Sequence, residues 1–88
     1  MSNPHRITKA DLETVRISRH AREVMARRDI AEVEVARTLV NGSSHPHKGL
    51  RRYILGDLCV VFAPDDRVVV TVLLFTEERW TDEDARRR

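Results

Sequence analysis

The chain reads as an α+β domain: two N-terminal helices, then a three- to four-stranded antiparallel meander sheet, then a short polar C-terminal helix or tail. Three observations point there. Residues 67–76 (Arg-Val-Val-Val-Thr-Val-Leu-Leu-Phe-Thr) are β-branched and aromatic, with no charge, Gly or Pro after Arg67. Such a run is too short for a bilayer and too β-rich for a helix. Upstream, residues 19–40 hold apolar side chains at helical spacing, and Asn41-Gly42 follows as a stop. Between the two lie short apolar runs punctuated by Gly56-Asp57 and Pro64-Asp65-Asp66, the signature of tight hairpin turns.

Residues 1–9, with Pro4 and scattered charges, read as a flexible arm. Residues 10–17 fit either a short helical turn or the start of a first strand at Val15-Arg16-Ile17. Ser18 is a good N-cap for a helix over 19–28, with Ala21, Val24, Met25 and Arg28 on one face and His20 at its edge. Arg19, Glu23 and Arg27 form an i, i+4 ladder on the outer side. Asp29 breaks this helix and caps a second over 31–40, where Val33, Val35, Ala36, Leu39 and Val40 make a broad apolar stripe.

Residues 43–49 read as a loop. His45 and His47 invite a metal, but no Cys, Asp or Glu stands nearby at ligand spacing and a site needs three or four ligands, so no metal is expected. Residues 50–55 and 58–63 form a hairpin, and 67–76 follows as an interior strand with cover wanted on both faces. Thr71 is the one polar side chain in the middle of that strand. It is either a satisfied β-former or a group projecting into a site on the sheet. Residues 77–88 are polar, with Trp80 as a lid over one sheet edge and Thr81 able to cap a closing helix.

At 88 residues the chain is a single domain, near the low end of what folds without staples. The single Cys59 lies in an apolar run and has no disulfide partner, which favours a reducing setting. The N-terminus lacks the apolar core of a signal peptide and no long apolar span exists, so a cytoplasmic protein with no membrane role is expected. The net charge of +2 is uneven: residues 1–52 carry eleven Lys/Arg against six Asp/Glu, and residues 53–88 carry five against eight. Fourteen of the sixteen basic residues are Arg, the side chain that pairs bidentately with phosphate. A basic half is compatible with RNA as a partner.

The segment from His20 to Ile30, with its His-Ala start, apolar pair and Arg-rich end, resembles a family of small bacterial and phage domains of uncharacterised function. Their pattern is a His-led helix, a Gly-Ile-Ser turn, a second helix and a strand ending in Val-Thr-Val, which Val70-Thr71-Val72 matches. Those domains look like distant relatives of the RelE and BrnT toxins and of the barnase, colicin and RelE ribonuclease fold. The resemblance covers roughly residues 15–76. Here Asp29-Ile30-Ala31 replaces the Gly-Ile-Ser turn, and Tyr53 is the only tyrosine where many RelE-like toxins carry an Arg and Tyr set near the C-terminus.

The resemblance implies a RelE-like toxin-type endoribonuclease, or a decayed relative, that cleaves RNA without metal or cofactor. Such cleavage needs a base for the 2′-hydroxyl proton, cations for the developing phosphorane charge and an acid for the leaving oxygen. His20 is the expected base or acid, with His45 or His47 as a second acid. Arg22 and whichever of Arg51 and Arg52 faces the site would hold phosphate, and Thr71 would orient it. The plainer readings are a helix-start His bonded to backbone and edge-strand arginines that discourage aggregation. A cognate antitoxin or host protein is an expected partner, and a homodimer would cover the apolar strand. The alternative function is a non-catalytic inhibitor or adaptor, possible in a phage setting, that docks on a protein through the sheet face.

Overall fold

The computed structural model describes residues 6–74. The expectations for Trp80, for the polar segment 77–88 and for Phe75 and Thr76 fall outside them. The elements in order are a 3₁₀ turn (Ala10–Thr14), β1 (Arg16–Ile17), α1 (Arg19–Arg28), α2 (Glu32–Asn41), β2 (Ser43–His47), β3 (Leu50–Leu55), β4 (Leu58–Ala63) and β5 (Val68–Leu74). The five strands form one mixed sheet in the order β1-β5-β4-β3-β2. Strands β2 to β5 are the antiparallel meander, and β1 pairs parallel to β5 through Arg16↔Val68 and Ile17↔Val69.

Two features correct the expected three- to four-stranded antiparallel sheet. Residues 10–17 hold both candidates, a turn and then a two-residue parallel strand. Residues 43–47, read as a loop, form an antiparallel edge strand against β3. Lys48 and Gly49 both have positive φ (53° and 82°), as a two-residue type I′ hairpin turn requires. Pairing to β3 thus overrides the poor β-propensity of Ser-Ser-His-Pro-His. In the segment read as an arm, Ile7 is buried in the core.

Both helices lie on one face of the sheet. Ala21, Val24, Met25, Val35 and Leu39 meet Tyr53, Leu58, Val60, Phe62, Val69 and Val72 in a single core, where Tyr53 and Phe62 stack edge to face at 6.0 Å. The strand buried on both faces is β4, whose residues from Leu58 to Phe62 are all buried, because it is the middle of five. Strand β5 is interior as expected, but Leu73 is 43% exposed on the face away from the helices. Val33, placed by periodicity in the buried stripe of α2, is 62% exposed; the inward positions are Val35, Thr38 and Leu39. Strand β5 also carries a bulge. Val61 pairs with Thr71 and Phe62 with Val69, leaving Val70 as the extra residue.

The turn between the helices shows what replacing Gly-Ile-Ser costs. Asp29 sits in the left-handed region (φ 58°, ψ 47°) as the C-terminal cap of α1. Ile30 N–H donates back to Met25 O at 2.9 Å, and buried Ile30 shares the core with Met25, the pattern of a Schellman motif. Glycine adopts this conformation without penalty. Ala31 is the N-cap of α2 and offers no side-chain cap to the helix. We expect Asp29→Gly with Ala31→Ser to raise unfolding free energy by about 1–2 kcal/mol, seen as a higher denaturant midpoint at unchanged slope. No gain from the pair would mean that neither cap position limits stability.

Candidate functional site

Burial and register divide the expected site residues between two layers. The core-facing residues Tyr53, Val60 and Val72 fix one face of β3, β4 and β5, so the next positions, Arg52, Val61 and Thr71, project from the other. His45 is the cross-strand partner of Arg52. His45, Arg52, Val61 and Thr71 therefore form one row across four strands on the face away from the helices. Directly opposed residues hold their Cβ atoms about 5 Å apart, and Arg52 and Thr71, two strands apart, about 10 Å.

The other expected residues lie elsewhere. His20 is an exposed residue of α1, a helix that covers the Val69 and Val72 face of β5, so the sheet separates it from Thr71. Arg22 donates from Nη1 to Glu32 Oε2 at 2.8 Å, an exposed ion pair linking the two helices. Arg51 shares the helix-side register with Phe62, and its Nε and Nη2 donate to Ser44 Oγ at 3.1 and 2.7 Å. Of the two adjacent arginines, Arg52 is the one that shares a face with Thr71.

Arg52 is also the side chain left unsatisfied. Its Nε is buried, and among the described residues it has no hydrogen-bond partner. Leaving a buried donor unpaired costs about 1–3 kcal/mol, more when it belongs to a charged group. A guanidinium with an unpaired donor is suited to an anionic acceptor. The side chains around it narrow the chemistry. His45 Nε2 lies 3.0 Å from Ser43 Oγ, so one ring nitrogen is engaged at the edge of the sheet. Cys59, on the same face as Arg52, is fully buried. Burial pushes its thiol pKa up, and the nearby Arg52 charge only partly offsets this. The thiol thus stays protonated and is unsuited to nucleophilic attack.

The expectation from sequence offered His45 or His47 as a second acid without separating them and did not place either beside Arg52. A residue read as part of a loop has no register, and only the pairing of β2 with β3 places it beside Arg52. Among the described residues no group of three or more His, Cys, Asp or Glu side chains is placed to hold a metal. Nor is any described helix long and apolar enough to cross a membrane.

No curated protein and no solved structure gives a significant match to the chain. A family match covers residues 17–73, running from β1 to the end of β5 and so taking in both helices and every member of the row. By that match the chain belongs to the family described as a domain of unknown function (DUF4258).

Proposed function

We propose that the chain is a metal-independent RNA-binding and RNA-cleaving domain of the RelE-like kind, or a decayed relative, working from the sheet face away from the helices. The observation that carries this reading is the buried Nε of Arg52, without a partner among the described residues and set between His45 and Thr71 on one row. In this reading Arg52 grips a backbone phosphate and stabilises the charge that builds on it. His45, rather than His20, is the neighbouring imidazole placed to serve as acid or base. Thr71 offers a hydroxyl to orient the phosphate from the next strand but one. Arg22 and Arg51 serve structure, through Glu32 and Ser44.

Fluorescence anisotropy with a labelled single-stranded RNA, over a series of salt concentrations, tests the grip. Arg52→Ala is expected to weaken binding by about tenfold or more at low salt, since charge-assisted hydrogen bonds are worth 1.5–3 kcal/mol. The loss should narrow as salt rises, because each released counterion then gains less entropy. Equal binding by the variant at every salt concentration would remove the reading. If the wild type cuts RNA, His45→Ala should slow cleavage by roughly 10²–10⁴-fold, the usual contribution of an acid–base group. Binding without cleavage identifies the decayed relative.

The non-catalytic adaptor keeps one observation in its favour, the apolar Leu73 side chain exposed on the same face. No RNA binding by the wild type at any salt concentration would move the assignment there.

A further inference from the structure

The sheet face away from the helices is covered more deeply than the described elements account for. Both helices and the 3₁₀ turn pack on the other face, where Leu12, Val15 and Ile17 join the core. Yet at the middle of the far face Cys59 is 0% exposed and Val61 6%, and the Nε of Arg52, the cross-strand partner of Val61, is buried with them. Side chains at the centre of a sheet face that meets water keep part of their surface. Ile54 and Thr71 to either side are only partly buried, and Leu73 towards the border is exposed. The cover thus lies over β3 and β4, and no described element supplies it. Two stretches of chain remain. Residues 1–5 lead into Ile7, which is buried in the helix-side core, and hold no carboxylate. Residues 75–88 follow Leu74 at the end of β5, and Glu77, Glu78, Asp82, Glu83 and Asp84 fall within eight of them, around Trp80.

We propose that residues 75–84 turn back from Leu74 across this face, laying Trp80 over Cys59 and Val61 and setting a carboxylate on the Arg52 guanidinium. Charge complementarity favours this occupant. A buried guanidinium calls for an anionic partner, and a carboxylate offers it the same two-pronged acceptor as a phosphate. Reach favours it as well. Register sets Leu73 level with Cys59 and Ile54, and Arg52 is two residues back from Ile54. At about 4.8 Å between strands and about 3.3 Å per residue, Arg52 lies roughly 12 Å from Leu73. Four extended residues beyond Leu74 span about 13 Å, so each carboxylate from Glu78 onward can arrive. The tether keeps the segment at an effective concentration on the order of millimolar, so a weak contact suffices. The consequence for RNA rests on the reading of Arg52 as a phosphate grip: RNA must displace the segment, and the chain restrains its own site.

The cover is tested without RNA. Cys59 is the only cysteine, so the rate at which a chromogenic aromatic disulfide labels the native full chain reports on it. Wild-type labelling is expected to be slow. Trp80→Ser should speed it by about tenfold or more, the scale of one large buried side chain. Joint neutralisation by Glu77→Gln, Glu78→Gln, Asp82→Asn, Glu83→Gln and Asp84→Asn should do the same, the scale of one charged hydrogen bond. Both variants leave the helix-side core untouched, and circular dichroism checks the fold. A wild-type rate equal to that of the unfolded chain, or one that either variant leaves unchanged, overturns the proposal. So does protection that grows with protein concentration, which marks a second copy as the cover. The anisotropy titration then reads the restraint. The neutralised chain should bind RNA about tenfold more tightly or better, and the gain should shrink in an Arg52→Ala background, where a gain from net charge alone would persist. A gain that persists in full overturns the restraint. Labelling as expected with no RNA binding by any form keeps the cover and removes the phosphate reading; RNA binding with an unprotected Cys59 does the reverse.

Discussion

Gly42→Ala should destabilise the protein by roughly 3 kcal/mol, the upper end of overpacking costs. Gly42 links α2 to β2 at φ −76° and ψ 163°, a conformation any residue adopts, so strain in its own backbone is not the cause. The cause is approach. A Cβ there would sit 2.5 Å from Thr38 O and 2.7 Å from Ile54 O, both backbone atoms that no rotamer change can move. Thr38 O is itself held by Gly42 N–H at 2.8 Å, and Thr38 Oγ1 donates to Glu34 O at 2.8 Å, so the last turn of α2 has little freedom to retreat. Ile54 is fixed by pairing on both sides, to Ser43 and to Cys59. Equilibrium denaturation measures the loss against a total of about 5–15 kcal/mol for a domain. Gly49→Ala is the control. Nothing lies within 4 Å of its Cβ position, so only its positive φ opposes the change, at about 1 kcal/mol. Equal costs at the two glycines would show that β2 does not start hard against the end of α2.

Ser18→Ala is expected to cost about 2–3 kcal/mol, twice or more what a helix cap alone is worth. The Ser18 hydroxyl has two jobs. It accepts from Ala21 N–H at 3.0 Å as the N-cap of α1, and it donates to Val70 O at 3.0 Å. Val70 is the extra residue of the β5 bulge, so its carbonyl lacks a regular ladder partner. Ser18 N–H meanwhile donates to Val69 O at 3.0 Å and ends the parallel pairing of β1. One side chain thus fixes where the helix starts relative to the irregular point of the sheet. Ser18→Gly separates the two roles, because glycine caps nearly as well as serine but has no hydroxyl for Val70. If Ser18→Gly matches the wild type within a few tenths of a kcal/mol, the bond to Val70 contributes nothing.

Where local chemistry decides the outcome, the fold was readable from residues alone. Ser18 and the spacing of Ala21, Val24 and Met25 place α1, and Gly56-Asp57 between two apolar runs places the β3–β4 hairpin. Where the outcome depends on a distant partner, it was not. Strand β1 is two residues long and exists through its pairing with residues more than fifty positions away. Strand β2 is polar and contains a proline, and its pairing follows from a Lys-Gly turn rather than from its own side chains. The same limit governed the candidate site. Alternation showed that Arg51 and Arg52 part company, but only burial of Tyr53 shows which one joins Thr71. Periodicity put Val33 in the core because the apolar positions of α2 span more than one face, and a two-layer fold covers only one of them.

The two-residue β1 and the proline in β2 also govern how this sheet avoids others of its kind. Residues 68–74 have the composition of a segment that stacks into fibrils: β-branched, uncharged and free of Gly and Pro. In the folded chain they lie one strand in from the border, shielded by the short β1, while Pro46 interrupts the opposite border. The part of that protection given by β1, over Val68 and Val69, exists only when Arg16 has met Val68, and this contact closes a longer loop than any hairpin in the sheet. Such a closure carries the larger entropic cost. A nascent chain that has formed the meander but not yet docked β1 presents the whole outer edge of β5 to its neighbours, so the hazard of aggregation is greatest during folding.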